Sequence, residues 1–99
     1  MNYKFVNRPA VRFDIINALE YYNKINPELS KQFLFRIREA KGYIAKSPMG
    51  FQLKYNEVRT IMTKQFPYHI HYIIDDTKQL IIILAVIHAF KNPMDYSHR

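Results

Sequence analysis

The stretch from Val58 to Pro93 constrains this chain more than any other. It holds three β-rich runs, Val58–Gln65, Phe66–Ile74 and Leu80–Ile87, with turn signals between them. β-branched and aromatic residues bounded by polar breaks build antiparallel meanders, and Asp75-Asp76-Thr77-Lys78 supplies a polar hairpin between the last two runs. Tyr68, Ile70, Tyr72 and Ile74 fall on one face of the middle run, and His69, His71 and Ile73 on the other. The last run is apolar on both faces, which places it as the buried central strand. Phe51-Gln52-Leu53-Lys54-Tyr55 alternates apolar and polar residues, a strand with Lys54 on its wet face. Val58 to Lys64 mixes both kinds on both faces, so its orientation stays open.

The first half has a different period. After the short β-prone opening Tyr3-Lys4-Phe5-Val6, Asn7 is positioned to cap a helix with Pro9 in its first turn. Val11, Ile15, Ala18, Leu19 and Tyr22 recur at three- and four-residue spacing to about Lys24, leaving Phe13 and Ile16 off the stripe. Asn26-Pro27 restarts the backbone as cap and first helical residue. Phe33, Ile37, Ala40 and Ile44 then form a second core stripe, ended by Ser47-Pro48-Met49-Gly50. Lys31, Arg38 and Lys41 lie on another face, and Phe35 and Tyr43 fall outside the stripe, either half-buried or open to a partner. The short link favours an antiparallel helical hairpin. The expected architecture is α+β: an N-terminal strand, the helical hairpin, then a C-terminal antiparallel β-meander packed against the helices, with residues 1–99 as one domain.

Composition narrows the function. The formal net charge is +7, from 15 Lys and Arg against 8 Asp and Glu. An anionic partner would suit that surplus, as would solubility alone. Most of it sits in the helical half. The absence of Cys excludes disulfides, thiol nucleophiles and thiolate metal sites. With only two Gly, no phosphate-cradling loop can form. No apolar run is long enough to cross a bilayer, and residues 1–20 lack a signal-peptide core, so the expectation is a cytoplasmic protein without a membrane partner.

Two constellations carry possible chemistry. His69 and His71 project from one strand face, suited to acid–base work, but a metal site would need a third ligand that the neighbourhood does not supply. No metal or cofactor is expected. His88 follows the apolar strand, with Lys91 and Tyr96 beyond it. Such a cluster could cleave RNA without a metal, one group activating the ribose hydroxyl and cations steadying the phosphorane. Equally, His88 could simply cap the strand and Lys91 be a solvated side chain.

The frame Val58-Arg59 … Phe66-Pro67-Tyr68-His69-Ile70-His71-Tyr72 … Ile82-Ile83-Leu84-Ala85-Val86-Ile87-His88 … Lys91-Asn92-Pro93 resembles toxins of the RelE/ParE superfamily from bacterial type II toxin–antitoxin systems. The Tyr3–Val6 strand, the helix holding Asp14, Tyr21 and Tyr22, and the Pro27 to Phe33 opening agree with it. The Phe-Pro-Tyr strand start and the Val-Ile-His strand end are similar to the ParE-like branch. The resemblance implies a growth-inhibiting toxin neutralised by a cognate antitoxin that wraps a disordered segment around it. Lys31, Phe35, Arg38, Lys41, Tyr43, Phe90 and Lys91 are then the expected partner-binding residues. ParE-like members poison DNA gyrase, whereas RelE-like members cut mRNA in the ribosomal A site. A nuclease of the second kind would use Lys54, Arg59, His88, Lys91 and Tyr96. The sequence departs from both patterns: Phe90-Lys91 stands where ParE-like chains often carry paired arginines, and Lys91 replaces an expected arginine, losing bidentate phosphate binding. A binding or regulatory member without toxicity is the third possibility.

Overall fold

A computed structural model describes residues 2–90 and 94–99. Strand β1 (Lys4–Asn7) leads into helices α1 (Pro9–Ile25) and α2 (Pro27–Lys46). A 3-10 turn at Pro48–Gly50 follows, then β2 (Leu53–Tyr55), β3 (Val58–Met62), β4 (Tyr68–Asp75) and β5 (Leu80–His88). The five strands form one sheet in the order β1-β5-β4-β3-β2. β2 to β5 make the expected antiparallel meander. β1 runs parallel to β5, from Lys4 opposite Leu80 to Asn7 opposite Ile83, so the sheet is mixed. β5 is an interior strand as its composition demands, but β4 holds the middle position.

The helix stripes do what their spacing requires. Val11, Ala18 and Tyr22 of α1, with Phe33, Ile37, Ala40 and Ile44 of α2, are buried against Ile61, Tyr68, Ile70 and Tyr72 of the sheet. The ring of Phe33 is packed by Tyr22, Phe66 and Tyr68 at centroid separations of 5.7, 5.4 and 5.0 Å, stacked on the first and edge-to-face with the other two, which adds to the apolar burial. Asn26 caps α2 through a 3.0 Å bond from the Glu28 amide. The cap expected at Asn7 is not formed. Arg8 occupies the cap position of α1 without a side-chain hydrogen bond, because Asn7 is drawn into β1 opposite Ile83.

Two bulges alter the expected alternation. Ala85 pairs with His71 and Ile83 with Tyr72, leaving Leu84 as an extra residue. Ile81 and Ile83 therefore face the helices, Leu84 and Ala85 both face away, and Val86 faces the helices again. A second irregularity between Leu53 and Tyr55 breaks the alternation of β2. Phe51 packs on the helix side and Tyr55 on the opposite face, while Leu53 is exposed on this short edge strand instead of sitting on a dry face.

The sheet face away from the helices is also covered. Val58, Ile82, Leu84, Ala85 and Ile87 form a second buried cluster, closed by Tyr96, which is 6% exposed. This cover lets β5 be apolar on both faces.

Candidate functional site

The second sheet face opens beside Tyr96 into a cleft of about 520 Å³, bordered by Lys54, Tyr55, Thr60, His69, His71, Ile87, His88 and Tyr96. β4 directs both imidazoles here because its odd-numbered residues lie opposite the core face, with ring centroids 6.3 Å apart. Tyr55 Oη lies 3.0 Å from His71 Nδ1 and also accepts the Tyr96 backbone N–H at 3.2 Å. Since that amide can only donate, the Tyr55 hydroxyl proton is free to point at Nδ1 when His71 carries its proton on Nε2. Burial, followed by the neighbouring His69 and Arg99 charges, pushes the His71 pKa down from 6.5 to about 4. His69 is lowered too, by burial and then by Lys54. A neutral imidazole of pKa near 4 is a weak base and, at neutral pH, holds no acidic proton to give. No third His, Asp or Glu joins the pair in metal-holding geometry among the described residues.

The residues expected for RNA cleavage do not all meet here. Lys54, His88 and Tyr96 border the cleft, but Tyr96 is a buried packing residue whose ring stands 5.1 Å from that of His71. Arg59 lies on the opposite face of the sheet, opposite Tyr72, and donates to the Phe51 and Met49 carbonyls at 2.7 and 3.2 Å. With Tyr72 Oη, which donates to the Pro48 carbonyl at 2.6 Å, it ties down the 3-10 turn. His88 borders the end of the cleft and also lines the groove on the helix side; its ring lies 5.3 Å from Tyr68 and its Nδ1 accepts the Phe90 amide. Lys91 lies outside the described residues.

The surface expected to meet a partner is partly open. On α2, Phe35 and Tyr43 are 57% and 39% exposed, and Lys31 and Arg38 are exposed beside them. Lys41 is half-buried, its ammonium over the Phe5 ring at 5.3 Å, and burial lowers its pKa. Phe90, 83% exposed, stands at the mouth of a second groove of about 390 Å³ between α1 and β5, lined also by Asp14, Tyr21, Tyr68 and His88.

The sequence reading missed the polar joint behind both clefts. Asp14 on α1 accepts the Val86 amide at 3.0 Å on the edge of β5 that β1 leaves uncovered, and pairs with Arg99 at 2.5 Å. Arg99 also donates to the Leu84 carbonyl and lies over the Tyr96 ring. Nothing local in the sequence links residues 85 positions apart.

This fold has known counterparts. The chain is similar to a structure of the chromosomal ParDE toxin–antitoxin system from P. aeruginosa, with a TM-score of 0.74 and 17% identity over 87% of this chain and 95% of that one. It is also similar to the toxin–antitoxin complex RelBE2 from Mycobacterium tuberculosis, with a TM-score of 0.57 and 20% identity over 89% and 99% of the two chains. The free-state structure of a mutant E. coli toxin RelE gives a TM-score of 0.57 and 17% identity over 91% and 86%. No family model matches the sequence, and no curated protein does. The fold is thus that of the RelE/ParE toxins. Of these three structures, the one of a ParDE system superposes best.

Proposed function

We propose that this protein is the toxin of a type II toxin–antitoxin pair, arresting bacterial growth by binding its target and held inactive by a cognate antitoxin. The observation that carries this reading is the agreement with the ParDE structure across 87% of the chain. The cleft supports binding over catalysis. Of the described Lys and Arg, only Lys54 borders it, whereas cleavage of RNA needs several cations around the phosphorane. DNA gyrase is the target this reading names. Phe35, Tyr43, Lys31 and Arg38 on α2 offer the antitoxin an aromatic and basic surface that an acidic, initially disordered segment can cover.

Expression of the protein alone should halt growth, and co-expression with the product of a neighbouring antitoxin frame should restore it. Purified protein should inhibit gyrase supercoiling or trap cleaved DNA. Undisturbed gyrase activity at saturating protein would overturn the target. The grouping of Lys54, His69, His71 and Tyr55 favours a second reading, a ribosome-dependent, metal-independent mRNA endonuclease. Under that reading transcripts are cut in a translating extract; growth arrest with intact transcripts rules it out. Harmless expression without antitoxin would leave a non-toxic binding member.

A further inference from the structure

Residues 94–99 cross the second sheet face as a strap with three separate anchors. Asp95 accepts Asn56 Nδ2 at 3.0 Å on the β2–β3 turn. Tyr96 is buried over Leu84, Ala85 and Ile87, and its amide donates to Tyr55 Oη. Arg99 reaches past the end of β1 to Asp14 on the helix layer. The anchors differ in kind. The first is an exposed amide–carboxylate bond and the second is apolar packing. The third joins two charges, with side-chain exposures of 27% for Arg99 and 10% for Asp14.

The third anchor also fixes the second. The guanidinium that pairs with Asp14 lies over the Tyr96 ring, 5.0 Å from its centroid, so the ion pair holds the aromatic side chain down from above. Beneath that ring is His71, at 5.1 Å, bonded to the Tyr55 hydroxyl that also receives the Tyr96 amide. Lifting the strap therefore removes the apolar cover of His71 and one partner of Tyr55 together. The carboxylate at the far end is not sealed off: Asp14 also lines the groove between α1 and β5.

We propose that residues 94–99 form a lid over the His71 side of the cleft, held shut by the Asp14–Arg99 ion pair. Arg99 acts as a positioning residue through Tyr96 and does not itself touch the imidazole. The lid makes access to the cleft depend on a charge pair on the opposite side of β5, whatever the cleft binds.

Acylation of histidines by diethyl pyrocarbonate, read residue by residue by mass spectrometry on the full chain, tests this directly. His71 should react slowly in the wild-type protein, and His98, which is 88% exposed, quickly. In Arg99→Gln the His71 rate should rise roughly tenfold, as loss of one partly buried charge pair implies, while His88, whose ring packs on Tyr68 and Phe90 and not under Tyr96, keeps its rate. Asp14→Asn, which retains a carbonyl oxygen for the Val86 amide, should behave the same way, and Arg99→Lys should stay near wild type. An unchanged His71 rate in both charge-neutral variants overturns the lid. So does a rise of His88 in step with His71, which reports general loosening. The readout is an imidazole, so a gyrase assay that fails leaves this result standing, and the reverse also holds.

Discussion

His71 shows how one residue's surroundings set its chemistry. It sits between Tyr55 and Tyr96, and burial holds it neutral, with its pKa at about 4 against 6.5 when free. Because the folded value is the lower one, the unfolded chain takes up the proton first as pH falls. Stability from this group is intact above about pH 6.5 and is lost progressively down to about pH 4. Allowing for the part of the ring that remains solvated, the loss is about 1–2 kcal/mol. His71→Gln should flatten the decline of the urea midpoint between pH 7 and pH 4 relative to wild type, and an identical slope in both proteins would refute it. Arg59 makes the opposite case, a cation expected at a reaction site that instead serves the fold. Arg59→Leu leaves the Met49 and Phe51 carbonyls without a charged donor and should cost about 1–3 kcal/mol in urea unfolding. The NMR signals of His69 and His71 should stay in place, since the guanidinium lies across the sheet from them.

At the scale of elements, local sequence and long-range pairing compete at each boundary. α2 begins where Asn26 and Pro27 say it should, with the cap bond formed. α1 begins one residue later than its own cap signal, because Asn7 is held in β1 beside Ile83. Asn26→Ala should therefore cost about 1 kcal/mol, while Asn7→Ala should change stability by less than about 0.5 kcal/mol. Equal losses from the two substitutions in thermal or urea unfolding would contradict this assignment. β5 shows the same competition inside a strand. A strict two-residue alternation starting from Ile81 would put His88 beside His69 and His71. The extra residue at Leu84 reverses the faces, so the His88 ring packs on Tyr68 at the end of the strand instead of standing in line with His69 and His71.

Across the whole molecule, two layers of side chains enclose the sheet, and they are built differently. The helical hairpin covers one face with regular stripes, so the core from Val11 to Ile44 and from Tyr68 to Tyr72 follows from periodicity. The other face is closed by a few residues after the last strand, without regular structure, and this is where the cleft, the strap and the imidazoles meet. Its cover is thin and its cleft open.

The sequence by itself determined what depends on neighbours within a few positions: both helices, the Asn26 cap, the two faces of β4, the hairpin at Asp75, and the α+β class these imply. Side-chain spacing of 3.6 or 2 carries that information directly. Much of the site was not legible in this way. The parallel pairing of β1 with β5, the bulge at Leu84, the turning of Arg59 away from the cleft, the packing of the His88 ring on Tyr68, and the Asp14–Arg99 joint were decided by tertiary structure. Each depends on groups brought together only when the sheet closes, and buried backbone and charged groups must then find partners wherever the fold offers them.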